Sequence, residues 1–319
     1  MSAPTESDSP RAFVLPSAVR LRAEAVGLAA LQWIESLPDT VAALEREWSV
    51  RVGATIEGGS EAYVAEAIAE DGELAVVKVR MPHDDSFVHE VNVLDVAAGR
   101  GYPRLLRRDD ARSAMLIERL GPSLDTLGLA IDEQIRIVCE TLRDAWVHID
   151  ADLGFPTCAE KATYLDEFIS RKWDELRRPC SAQVIDRARV FADTRRRAFD
   201  PNDAVLVHGD AHSANTLSVL THDASAGRRF KLVDPDGLFG ERAYDLAIPM
   251  RGWSAELLAG DALALGQQRC AYLNRLTGVD AEAIWQWGVI ERVSTGLALM
   301  SVGREKEGIE TLAVAERWV

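Results

Sequence analysis

The chain has 319 residues, 47% of them hydrophobic, and 36 basic against 51 acidic side chains leave a net charge of −15. That apolar content supports a sizeable core over two domains and excludes a fibrous or wholly disordered class. So acidic a surface repels nucleic acid and anionic lipid and draws cations, although acidity also serves solubility.

In chain order, residues 1–10 are small, polar and acidic and lack a basic or apolar leader pattern, and residues 1–16 read as a disordered tail. Helical spacing of Leu21, Leu28, Leu31 and Ile34 predicts a helix over 17–36, and Pro38 opens a second, short one to about 48. Short β-branched runs follow at 50–56, 62–68 and 74–79. They are separated by Gly58-Gly59-Ser60 and by Asp71-Gly72, a strong hairpin signal. A helix over about 85–98 precedes two more strands, 104–108 and 114–117. Beyond Gly121-Pro122 the pattern is helical at 131–150, 161–178, 182–197, 241–250, 254–276 and 281–301. Short strands interrupt it near 204–208, 216–220 and 230–233.

The pattern is α+β: a sheet-rich lobe over 17–118 with a helical extension, then a larger helical lobe over 119–319. No apolar window nears the ~18 residues of a membrane span. The four cysteines (Cys139, Cys158, Cys180, Cys270) form no CxxC pair, which argues against a zinc knuckle or disulfide framework and for a reducing cytoplasm.

The strongest chemical signal starts at Val205. An apolar strand, Val205-Leu206-Val207, delivers His208-Gly209-Asp210, and Asn215 follows five residues after the aspartate. A second apolar strand, Phe230 to Val233, ends in Asp234-Pro235-Asp236-Gly237. Phosphoryl transfer needs such a set: one carboxylate to orient the attacking hydroxyl and take its proton, and an amide oxygen and a second carboxylate to hold Mg²⁺ against a triphosphate. Asp210 is therefore the candidate catalytic base, and Asn215 and Asp234 are the candidate metal ligands. A kinase also needs a strand lysine for the phosphates and a helix glutamate to fix it. Lys78 lies inside the apolar run 74–79. Glu90 lies twelve residues on, on the same helical face as Phe87, Leu94 and Ala97, where a carboxylate requires a partner. Gly59 and Ser60 stand one hairpin before Lys78, where backbone N–H groups can cradle phosphate oxygens.

His208-Gly209-Asp210 with Asn215, followed by a strand ending in Asp234, resembles the catalytic and metal-binding segments of aminoglycoside phosphotransferases. The stretch from Asp234 to Ala247 is similar to the streptomycin 6-phosphotransferase and hydroxyurea phosphotransferase branch. Asp-Pro replaces the Asp-Phe-Gly of most relatives, and that branch carries Asp-Pro too. The resemblance implies a protein-kinase-like two-lobe fold, ATP and Mg²⁺, and backbone recognition of adenine near Glu118 and Leu120. It also implies that Asp245 is a buried brace of the catalytic loop. The implied acceptor is a hydroxylated small molecule, cationic in keeping with the net charge, with streptomycin foremost. Glu256, Asp261 and Glu291 are acidic residues that could line its pocket.

Three other readings stay open. The chain could phosphorylate another small metabolite. His208, Asp210 and His212, with Asp234 and Asp236, could ligate the metal of a hydrolase. A kinase-like fold could also serve binding alone. Asp236 is either a turn former or a substrate contact.

Overall fold

The computed structural model describes residues 14–82, 86–150, 153–220 and 229–319. Residues 1–13 of the expected tail lie outside the described residues, as does residue 85 at the predicted helix start. The chain divides into two compact units, residues 1–88 with 105–119, and residues 89–104 with 120–319.

The smaller unit is built on an antiparallel five-stranded sheet: β1 (Val50–Thr55), β2 (Ala62–Ala69), β3 (Leu74–Arg80), β4 (Leu105–Asp109) and β5 (Ala114–Glu118), in the order β1-β2-β3-β5-β4. The β2–β3 turn is closed at Gly72, whose φ of 87° suits glycine, while Asp71 accepts the Glu73 N–H at 3.0 Å. Helices α1 (Ser17–Val26) and α2 (Leu28–Trp48) share the sheet's core through Val19, Trp33, Leu37 and Leu44. The helix break falls at Gly27 (φ 111°), and Pro38 lies inside α2 instead of opening a helix. Proline has no N–H for the carbonyl four residues back, but α2 buries Trp33, Leu37, Val41 and Leu44 on both sides of it, and that burial outweighs the lost bond.

Helix α3 (Ser86–Ala97) passes from the first unit into the second. The larger unit continues with α4 (Ile131–Ala145), α5 (Cys158–Glu175), α6 (Ala182–Ala198), β6 (Val205–Val207), β7 (Thr216–Ser218), β8 (Phe230–Leu232), β9 (Leu238–Gly240), α7 (Ala243–Arg251), α8 (Ser254–Leu258), α9 (Ala262–Thr277), α10 (Ala281–Ser301) and α11 (Glu305–Trp318). β6 pairs with β9 and β7 with β8, both antiparallel. α10 is buried nearly all round and packs on α5, α6, α7, α9 and α11, as expected of a helix apolar on every side. Glycines permit its closest contact: a Cβ on Gly296 would come within 2.7 Å of Leu312, and one on Gly308 within 2.4 Å of Met300.

Residues 254–276, expected as one helix, form α8 and α9, because Asp261 caps a new start by accepting the Leu263 and Ala264 N–H groups, each at 3.1 Å. No described helix is long and apolar enough to cross a membrane.

Candidate active site

Buried β6 presents the His208-Gly209-Asp210 turn at its C-terminal end. Gly209 adopts φ 92°, and a Cβ there would meet Asp236 Cβ at 2.7 Å, so conformation and space both demand glycine. Asp245, in the first turn of α7, is fully buried. It accepts the His208 N–H at 3.1 Å, the Gly209 N–H at 2.8 Å and the Trp146 indole N–H at 2.9 Å. Burial raises the pKa of Asp245; His208 and the donated hydrogen bonds act against that rise. The carboxylate is thus the brace that the resemblance implies.

His208 is a structural spacer. Its Nδ1 accepts the Asp210 N–H at 3.1 Å, so Nε2 carries the proton and donates to the Val233 carbonyl at 2.9 Å. The ring stacks on Tyr102, with centroids 5.8 Å apart and planes 4° from parallel. The His208 carbonyl accepts the Asp236 N–H at 2.8 Å, and Val233 N–H reaches the Asn215 carbonyl at 2.9 Å. The two motif segments are therefore stitched together by backbone and ring.

Asp210 is one-third exposed and faces a cavity of about 320 Å³ within the larger unit. Arg251, at the end of α7, donates to its Oδ1, and His212 Nε2 lies 3.4 Å from its Oδ2. Burial works to raise the Asp210 pKa. The His212 hydrogen bond and the Arg251 charge outweigh it and hold the carboxyl well below the usual carboxylate range. Asp210 is therefore ionised throughout the physiological range. Arg251 also donates to Glu291 at 2.9 Å, and Glu291 accepts the Tyr244 hydroxyl at 2.8 Å. Lys161, from the first turn of α5, lines the same cavity.

Of the three acidic residues considered for a pocket, only Glu291 lines this cavity. Glu256 pairs with Arg269, and Asp261 is a helix cap. Arg251, Lys161 and Tyr244 were not singled out by sequence. The charges of Glu291 and Arg292 within a 21-residue helix that is otherwise largely apolar were the available signal, since buried charges require partners.

The donor set fits a hard cation. The Asn215 amide nitrogen donates to the Asp210 carbonyl at 3.1 Å, which turns its oxygen the other way. Asp234 is exposed in the strand-end turn and adopts φ 57°, a left-handed conformation that aspartate tolerates better than most residues. The hydrolase set does not assemble. Both His208 ring nitrogens are committed to backbone groups, and among the described residues no three His, Cys, Asp or Glu side chains converge as a metal group.

In the smaller unit, Lys78 is 5% exposed in β3, opposite Val64 and Met115. Gly59 and Ser60 are exposed in the β1–β2 loop. Glu118 ends β5 opposite Ala75. In the larger unit, Glu90 is buried on α3, and Leu120 is buried just after the sheet.

Phosphoryl transfer rests on positioning and on stabilising charge; here two turns carrying Asp210, Asn215 and Asp234 are stitched together, and Asp210 faces a cavity. The chain is a kinase, a phosphotransferase with an alcohol group as acceptor. It belongs to the aminoglycoside/hydroxyurea antibiotic resistance kinase family, whose model matches residues 47–303. It is 26% identical to the streptomycin 6-kinase of Streptomyces griseus over 288 residues, 89% of this chain and 90% of that protein. It is 28% identical to the hydroxyurea phosphotransferase of Kitasatospora aureofaciens over 248 residues, 73% of this chain and 69% of that protein. In fold it is similar to the solved ternary complex of streptomycin, ATP and APH(2″)-IIa, with a TM-score of 0.52 at 12% identity over 88% of this chain and 98% of that one.

Proposed function

We propose that this kinase moves the γ-phosphoryl group of ATP, with Mg²⁺, onto a hydroxyl of a small antibiotic, and that streptomycin is the first acceptor to test. The observation that carries this reading is Asp210, ionised and facing a cavity in the larger unit. The acceptor hydroxyl donates its hydrogen bond to the Asp210 carboxylate. Its oxygen attacks the γ-phosphorus as the bond to the β–γ bridging oxygen breaks, the proton passes to Asp210, and ADP leaves. Asn215 and Asp234 would hold Mg²⁺, which when bound neutralises charge on the phosphates. For ATP we assign Lys78 to the phosphates, Gly59 and Ser60 to the covering loop, and Glu118 to adenine through its backbone. Streptomycin is favoured by the names of the relatives and by the chain's net charge of −15, which steers cations.

The test is a phosphorylation screen of the purified protein with ATP and streptomycin, other aminoglycosides, hydroxyurea, choline and sugars. Streptomycin is expected to be phosphorylated, and chelating Mg²⁺ with EDTA is expected to stop turnover. A protein that turns over no hydroxylated acceptor would end this reading. Lys78→Ala is expected to raise the KM for ATP and to lower kcat, each by about tenfold, because the lysine positions phosphates. Steady-state kinetics in ATP and in acceptor check it; an effect on acceptor KM alone would reassign the residue.

A further inference from the structure

Five charged side chains line the cavity beside Asp210: Lys161, Asp236, Arg251, Glu291 and Asp210 itself. Arg251 is held twice, by Asp210 and by Glu291, and Glu291 is held again by Tyr244. With Glu291 only 5% exposed, that group is a closed unit. The pairing of Lys161 and Asp236 is different. Their closest approach is 3.5 Å, and the Asp236 carboxylate is 49% exposed. Lys161 Nζ also sits 5.8 Å from the Tyr244 ring centre and 5.9 Å from that of Tyr164, and the Glu291 charge acts on it as well as that of Asp236.

Asp236 is not free to leave. Its N–H is bonded to the His208 carbonyl, and its Cβ packs where a Gly209 side chain would be. The backbone thus fixes a half-exposed carboxylate against the Gly209 turn, while its counter-ion is a lysine 3.5 Å away.

We propose that Asp236 is the specificity-determining anchor for a cationic group of the acceptor, a guanidinium or ammonium, and that Lys161 is its resting stand-in. The proposal rests on the acceptor reading above and adds the carboxylate that selects by charge. The pair is long at 3.5 Å and the Asp236 side is half exposed, so the open face of the carboxylate is left for a substrate cation to take. A guanidinium can then bind the carboxylate in bidentate fashion, which the lysine cannot. The displaced Lys161 remains over the tyrosine rings.

The experiment measures streptomycin binding by calorimetry, and kcat/KM for streptomycin against hydroxyurea, in the wild type, Asp236→Asn and Lys161→Gln. Asp236→Asn is expected to weaken streptomycin binding about tenfold and to cut the streptomycin-to-hydroxyurea ratio of kcat/KM by a similar factor. Lys161→Gln is expected to tighten streptomycin binding severalfold, since the resident cation is gone. These opposite signs are not the mark of a merely structural pair, whose loss would damage the site from either side. Wild-type protein that does not bind streptomycin, unchanged binding in Asp236→Asn, or equal losses on both acceptors would overturn the anchor. A protein that binds streptomycin through Asp236 but phosphorylates nothing would instead overturn the kinase-acceptor reading and leave the anchor standing.

Discussion

Asp210→Asn is expected to lower kcat by ~10²–10⁴-fold while the affinity for ATP stays nearly unchanged. The substitution keeps the size of the side chain and an oxygen for Arg251, so the turn keeps its shape. What it removes is the charge that aligns the acceptor hydroxyl and the site that takes its proton. Factors of that size correspond to about 3–5.5 kcal/mol of transition-state stabilisation. Single-turnover rates and nucleotide titration of the variant check the expectation. Turnover at the wild-type rate would remove Asp210 from the chemistry.

The second large effect is expected on stability. Asp245→Ala leaves the His208 N–H, the Gly209 N–H and the Trp146 indole N–H without their acceptor in a fully buried place. Each orphaned donor costs about 1–3 kcal/mol, so the sum approaches a large part of the ~5–15 kcal/mol that holds a typical domain folded. A fall in Tm of roughly 10 °C or more is expected by thermal unfolding. Asp245→Asn keeps one acceptor oxygen and is expected to lose less. An alanine variant as stable as the wild type would show that the carboxylate braces nothing.

The paired strand-and-turn segments were legible in the sequence for a physical reason. Asp210 and Asn215 follow β6, and Asp234 follows β8, with the strand ends marked by His208-Gly209 and by Asp234-Pro235, so strand and turn are written side by side. The five-stranded sheet was legible for a similar reason, since alternating runs and an Asp71-Gly72 turn specify hairpins locally. The cavity wall was legible at Glu291 but not at Lys161, Tyr244 and Arg251, which come from α5 and α7 and which only tertiary packing brings to one surface with α10. Helix boundaries failed where tertiary burial overrode a local breaker, as at Pro38, or where one cap restarted a helix, as at Asp261. The α11 segment carries Gly308, a weak helix former, and that glycine serves the close approach to α10.

The imidazole of His208 bears on how such a site tolerates change in its connecting chain. Asp210 and Asp234 are separated by more than twenty positions, yet the ring spans from the amide of one to the carbonyl just before the other. The gap between the two aspartate turns is therefore gauged by one rigid aromatic part, as a machinist's block sets two jaws. A side chain of another size at 208 would change that gap even with Asp210 and Asp234 both still present.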